Sequence, residues 1–379
     1  MTQTATSKGL EGVIATSTAV SHVYGEEGRL VYRGYDIHEL AGRCTFEEVA
    51  YLLWEGELPN SEQLGKLSSE LVSRRGMGDV AVRVLDAFPA EALPMDVLRT
   101  VVSAIGAEAK ATKSQSGTEA RDAAVALTAC FPTVLAAYDR RRKGLDPIPP
   151  RTDLGHAANY VYMMTGNVPS DVDTHALDTY LVLLADHGMN ASTFTARVIA
   201  STESDMASAV IGGIGALKGP LHGGAPSLVL DMLDAIGTPE NAELWMRAAF
   251  ARGDRLMGFG HRVYKAEDPR AEILRGIAKE MDKSDLYALA SASEQTGLRL
   301  LEEQKPGRRL YTNVEFYSSV VLNAVGLPRD LFTATFAASR VAGWTGHILE
   351  QYADNRLIRP QSQYTGPHDL KFVPLDERA

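Results

Sequence analysis

The chain has 379 residues, enough for two domains with separate cores, since a single core stops growing at about 250 to 300 residues. A composition of 45% hydrophobic and 23% charged residues is that of a folded protein and not of a disordered one. The formal net charge of −10 argues against nucleic acid as a partner, because phosphate binding calls for a basic surface.

The first ten residues, MTQTATSKGL, are polar and lack the apolar core of a leader, and the cytoplasm is the expected location. Between residues 12 and 32 a short strand pair is expected, with GEEG at 25–28 as its turn. Beyond it the apolar residues recur at helical spacing, as in Leu177, Leu181 and Leu184, or Val320, Val321 and Ala324, so the expected fold class is all-α. Thr45 with Glu48 three residues on has capping-box spacing, and Ser61 ahead of EQLGKL reads as a second N-cap. Residues 95–104 and 122–138 read as core helices. The longest apolar run, residues 127–138, contains Thr128 and Pro132 and is too short to cross a bilayer, so no membrane partner is expected. Gly- and Pro-rich breaks fall at 89–94, 144–150, 218–226 and 305–307. Cys44 and Cys130 have no metal-ligand spacing and read as thiols of a reducing compartment; no metal site is expected.

Three stretches carry the chemistry. His222 sits in GPLHGGAPS, where glycines let backbone approach a ligand and a helix starting after Gly224 would aim free N–H groups at an anion. The alternative is a tight helix-to-helix turn with a capping histidine. His261 sits in GFGHRVYKAEDPR, which is not a dinucleotide fingerprint because Val263 stands where the third glycine belongs. The cations around it, Arg262, Lys265 and Arg270, oppose protonation and favour a neutral imidazole that donates a hydrogen bond; otherwise the segment is a solvated basic loop. Glu315 in LYTNVEFYS is flanked by Val314, Phe316 and Tyr317, a setting that raises a carboxyl pKa toward that of a working base, unless it is an exposed residue of a helix first turn. Two imidazoles and a carboxylate suffice to take a proton from a weakly acidic carbon while polarising two carbonyls, which points to an enzyme. His187 ends an apolar helix face and reads as a buried structural donor or a ligand contact. Arg270, Arg340 and Arg359 stand in distinct settings, either as surface residues or as forks for a small dicarboxylate.

Taken in order, GPLHGGA, GFGHRVYKxxDPR, NVEFY, SR and RPxS resemble the citrate synthase family, in its bacterial branch of short-chain citrate and 2-methylcitrate synthases. The resemblance extends from YRGYDIHEL at 32–40 through DHGMNASTFTAR at 186–197 to RPQSQYTG at 359–366. It implies an all-α, two-domain citrate synthase-like fold: a large helical domain of residues 1–223 and 323–379, a small one of residues 224–322, and an active site in the cleft. It further implies a homodimer that condenses a short acyl-CoA, acetyl or propionyl, with oxaloacetate and water, giving citrate or 2-methylcitrate and free coenzyme A. In that reading His222 hydrogen-bonds the thioester carbonyl, Glu315 removes the adjacent proton, and His261 donates to the ketone. His187, Arg270, Arg340 and Arg359 match the oxaloacetate ligands, Arg359 reaching in from the other subunit. Arg255, Leu256, Met257, Gly258 and Phe259 match the coenzyme A adenine segment, with Lys265, Lys305 and Arg308 near its phosphates. Coenzyme A enters as a substrate thioester, with no metal and no permanently bound cofactor. The family usually carries Asp where this chain has Glu315, which motivates a second reading: a catalytically weak relative that binds oxaloacetate or coenzyme A as a regulator or scaffold.

Overall fold

The computed structural model describes residues 7–108, 117–223, 225–281 and 285–378. The strand pair expected near the N-terminus is a hairpin, β1 (Ser21–Tyr24) against β2 (Arg29–Tyr32), antiparallel with Ser21 opposite Tyr32. A two-residue strand, β3 (Tyr35–Asp36), joins its edge. The hairpin tip docks on the loop after His261: Lys265 N donates to the Gly25 carbonyl (2.8 Å), and a Cβ on Gly28 would lie 2.7 Å from the Glu267 carbonyl oxygen.

The rest is helical. In chain order come α1 (Ile37–Leu40), α2 (Phe46–Glu55), α3 (Ser61–Ser73), α4 (Asp79–Asp86), α5 (Pro94–Glu108) and α6 (Thr118–Arg142). Then follow α7 (His156–Thr165), α8 (Asp171–Leu184), α9 (Ala191–Ser201), α10 (Met206–Leu217) and α11 (Ala225–Ile236). The series closes with α12 (Ala242–Arg252), α13 (Pro269–Glu280), α14 (Leu286–Gln304), α15 (Val314–Ala324) and α16 (Phe332–Ala353). Every Gly/Pro break predicted from sequence falls between helices or at a helix boundary.

Thr45 forms the predicted capping box with Glu48 at the start of α2. Ser61 does not cap α3. Asn60 does: its side chain accepts from Gln63 N (3.0 Å) and Gln63 returns the bond to Asn60 N (2.8 Å), because Asn60 has the extended backbone a cap needs while Ser61 is already helical. The apolar run at 127–138 is the middle of the 25-residue α6, which by length and composition could span a bilayer. Its apolar stretch is 78% buried within the protein, the mark of a core helix.

Helix α16 runs through the middle of the fold, packed by α2, α6, α8, α9 and α10. Gly213 of α10 allows a close approach, since a Cβ there would sit 3.0 Å from the Trp344 ring. Burying a large apolar side chain stabilises the fold by roughly 1.5–3 kcal/mol, and Trp344 has no exposed surface. Helices α11 to α15 pack mainly on one another, α13 and α11 on α15 and α12 on α14. The cleft lies where this second group meets α8, α9 and α16.

Candidate active site

A cleft of about 780 Å³ is walled by His187, His222, His261, Arg270, Glu315 and Arg340. Six residues spread over more than 150 positions of sequence therefore meet in one place.

His222 lies in the turn after α10, its N–H bonded to the Gly219 carbonyl (2.9 Å). Its Nε2 is 2.8 Å from Ser192 Oγ and 3.3 Å from Ser192 N, which can only donate. That assigns Nε2 as acceptor and leaves Nδ1–H as the ring's donor. Ser192 is itself held by Trp344 Nε1–H (3.0 Å) and by the α9 cap Asn190, whose Oδ1 is 2.7 Å from Ser192 Oγ. Burial, then the Arg340 charge, lowers the His222 pKa to about 4, so the ring is neutral at pH 7.

His261 has its tautomer fixed by backbone. Its Nδ1 accepts from Val263 N (3.0 Å) and Tyr264 N (2.9 Å), so the proton is on Nε2. Its pKa also falls to about 4. Burial is the largest cause and Arg270 the next, so the expected effect of neighbouring cations is real but secondary.

Glu315 is the second residue of α15, half-buried in the cleft wall. The segment before it is zipped to the segment before His261: Gly260 N donates to Tyr311 O (2.7 Å), Asn313 N to Gly258 O (2.9 Å), and Phe259 bridges Thr312. Gly258 is required here, with φ +80° and only 2.6 Å between a would-be Cβ and Phe316 Cδ2. Burial raises the Glu315 pKa above its ordinary value against the opposing pull of Arg270 and the helix start. That is the direction a general base needs.

Arg270 is 2% exposed and doubly bonded to Asp268 (3.0 and 2.8 Å), a residue that also caps α13 and accepts from Val314 N (3.2 Å) at the head of α15. Arg340 is 1% exposed, donates Nε to the Leu184 carbonyl (2.8 Å), and keeps Nη1 without a partner among the described residues. An unpaired buried guanidinium nitrogen on a cleft wall is built for an anion that arrives from outside. Burial brings Arg340 down to about 10, still charged at neutral pH. His187 stands between them, its Nε2 3.3 Å from Tyr264 Oη and its ring edge-on to His261 at 5.4 Å. Burial and then Arg270 hold its pKa well below the usual value.

The model of the citrate synthase C-terminal domain matches residues 9–361. Citrate synthase 2 of Bacillus subtilis is 43% identical over 373 residues, spanning 98% of this chain and 99% of that one. The chain belongs to the citrate synthase family. The 2-methylcitrate synthase of Mycobacterium tuberculosis is 40% identical over 97% of this chain and 92% of its own length. Among solved structures, a ternary complex of citrate synthase from Thermoplasma acidophilum with carboxymethyl coenzyme A and oxaloacetate superposes with a TM-score of 0.91 at 32% identity, covering 99% of this chain and 100% of that one.

Two sets of residues named by the resemblance do not line the cleft of this citrate synthase family chain. Arg359 is exposed in the extended segment after α16. Arg255, Lys265, Lys305 and Arg308 are also exposed, while Leu256 and Gly258 are buried and Met257 and Phe259 half-buried. Phe259 packs its ring on Phe316 (5.3 Å) and fits over Gly297. Gly224 lies outside the described residues, as do residues 1–6 of the N-terminal stretch. Sequence reading missed Ser192, which holds His222, Trp344, which holds Ser192, and Asp268, which holds Arg270, as well as Leu10, Val13 and Phe336, which line the cleft. The only signals were the Asn190 cap position for Ser192 and the Asp-Pro dipeptide for Asp268.

Proposed function

We infer that the protein condenses a short acyl-CoA with oxaloacetate and water, releasing free coenzyme A and citrate or 2-methylcitrate. The observation that carries this is the pairing of two buried arginines, Arg270 and Arg340, with two neutral imidazoles of fixed tautomer and a carboxyl group of raised pKa. Oxaloacetate binds between His187, Arg270 and Arg340. His222 Nδ1–H polarises the thioester carbonyl, Glu315 takes the α-proton, and the resulting enolate, hydrogen-bonded by His222, attacks the ketone carbon. His261 Nε2–H stabilises and protonates the oxygen that becomes the hydroxyl. Water then cleaves the thioester, and coenzyme A leaves as the thiol. Neutral donors suit both carbonyls, because the charge they stabilise develops only in the transition state.

The reading as a non-catalytic regulator finds no support, since the acid–base set is complete around Glu315. The residues from Arg255 to Phe259, with Lys265, Lys305 and Arg308, are proposed for the coenzyme A adenine and phosphates. Their run alongside the His261 loop supports this. The proposed two-domain division at 224–322 is supported by the packing of α11 to α15 on one another, and it would let the cleft close on its ligand. A homodimer sharing Arg359 is supported by the position of that residue outside its own cleft and by the exposed apolar side chains of Leu370, Phe372 and Leu375, at 78, 84 and 77%. The free cysteines Cys44 and Cys130 fit a cytoplasmic setting.

The test is thiol release by purified protein given oxaloacetate with acetyl-CoA or propionyl-CoA. Release is expected only with both substrates, and the two kcat/KM values should differ by no more than about 200-fold, the scale of one methylene in an apolar pocket. No release with either thioester would refute the reaction.

A further inference from the structure

Helix α16 presents Arg340, Gly343 and His347 along one face, since residues three and seven apart stack in a helix of 3.6 residues per turn. The turn that carries His187 lies across that face. Arg340 Nε grips the Leu184 carbonyl (2.8 Å). Gly343 makes room for the turn: a Cβ there would collide with the Ala185 carbonyl oxygen and stand 2.5 Å from Asp186 Oδ1. One turn further, His347 Nε2 lies 3.2 Å from Asp186 Oδ2.

The proton on His347 can be placed. Its Nδ1 faces Arg197 Nη1 at 3.3 Å, a group that only donates, so Nδ1 accepts and Nε2–H is given to Asp186. Asp186 Oδ2 also receives the Ser21 hydroxyl and Gly188 N–H (3.0 Å). Asp186 and His347 are both 0% exposed.

Two complementary groups at this junction stay apart. Arg340 Nη1 and Asp186 Oδ1 are both buried without a partner among the described residues, although Asp186 is the strongest charge acting on Arg340. Opposite charges attract strongly away from water, and His347 is one of three donors that hold Asp186 Oδ2 against that pull, with Ser21 and Gly188. We propose that His347 is a positioning residue of the oxaloacetate site: by holding Asp186 Oδ2 it keeps that carboxylate off Arg340, leaves the guanidinium free for the ligand, and fixes the turn that aims His187. Without the His347 donor, oxaloacetate has to displace an internal carboxylate before it can bind. His347 itself is not on the cleft wall. The inference rests on oxaloacetate being the ligand of this site.

Calorimetric titration with oxaloacetate alone, and KM for each substrate, test it in the parent, His347→Leu and His347→Gln. Leucine fills the space without donating, whereas the glutamine amide reaches the position of Nε2. His347→Leu should weaken oxaloacetate binding by about tenfold or more, the scale of one hydrogen bond to a charged group, and leave the acyl-CoA KM within about twofold, while His347→Gln should bind within about threefold of the parent. The double variant His347→Leu/Asp186→Asn should regain affinity, because no carboxylate remains to occupy Arg340, whereas a merely structural role predicts further loss. If His347→Leu does not fold, His347→Asn, whose amide is too short to reach Asp186, takes its place. Undiminished oxaloacetate binding in the single variant, equal loss for both substrates, or no recovery in the double variant would overturn the proposal. A parent that binds no oxaloacetate would instead overturn the ligand assignment.

Discussion

Glutamate at position 315 carries its carboxylate one carbon farther from the backbone than the aspartate usual in the family, and it does so from the second residue of a helix whose start is anchored by Asp268. With the helix anchored, the extra carbon shifts the carboxylate relative to the thioester carbon, and an error of about 1 Å in such a geometry costs roughly 100-fold in rate. Glu315→Asp should therefore change kcat by roughly tenfold or more in one direction, rising if the backbone is placed for the shorter acid and falling if it has adjusted to the longer one. Oxaloacetate affinity should hardly move. Glu315→Gln should nearly abolish turnover while still binding oxaloacetate, and near-parental kcat in a steady-state assay would remove Glu315 from the base role.

The proposed base role also fixes an expected acid limb of the pH profile. A base must be ionised to act, and burial places the Glu315 pKa above the ordinary glutamate value, so kcat/KM for the acyl-CoA should fall as pH drops through that raised value. His222 and His261, both near 4, are already neutral throughout the range above pH 5. No break near 6.5, the unperturbed histidine value, is expected from them. An inflection there that disappears in His261→Ala would contradict the assigned protonation states.

At the scale of elements, the site depends on two strand-like segments, 258–260 and 311–313, that lock the His261 loop to the head of α15. Gly258→Ala would force a side chain into φ +80° and against Phe316. Strain of this kind costs about 1–3 kcal/mol, and relief by separating the segments would move His261 away from Glu315. The variant should melt at a lower temperature and lose kcat by about tenfold or more, since the reacting groups separate. An unchanged melt and kcat would show that the zipper has slack. Helical spacing reveals the helices, GEEG the hairpin, glycine-rich motifs His222 and His261, and an apolar setting Glu315, while His187, Arg270 and Arg340 are singled out as ligands only by the family resemblance. What stayed hidden joins distant elements: Trp344 reaches Ser192 across 152 positions, and His347 reaches Asp186 across 161. Neither residue differs locally from ordinary core. Sequence points to Ser61 where Asn60 is the cap, because neighbouring polar residues look alike until backbone angles are known.

Across the whole molecule, His187 and Arg340 come from one group of helices and His261, Arg270 and Glu315 from the other, so a ligand that touches all of them should draw the two together. Oxaloacetate at 100 times its Kd should stabilise the fold by about 2.7 kcal/mol, read as a higher melting temperature. If Arg359 completes the neighbouring cleft, inactive Arg359→Ala and Glu315→Gln chains should regain partial activity when assembled together, because one of the two clefts then has both residues intact. Mixed dimers no more active than either parent would assign Arg359 to its own subunit.

Helix α16 also has a phase. Arg340, Trp344 and His347 serve three different parts of the site, and each points where it does because of its angle around one axis. Adding a single residue between positions 340 and 347 would turn everything beyond it by about 100°. The His222 support and the Asp186 tether would then face away from the cleft while Arg340 stayed in place. A scan of one-residue insertions should therefore find this stretch far less tolerant than the more exposed helix α3.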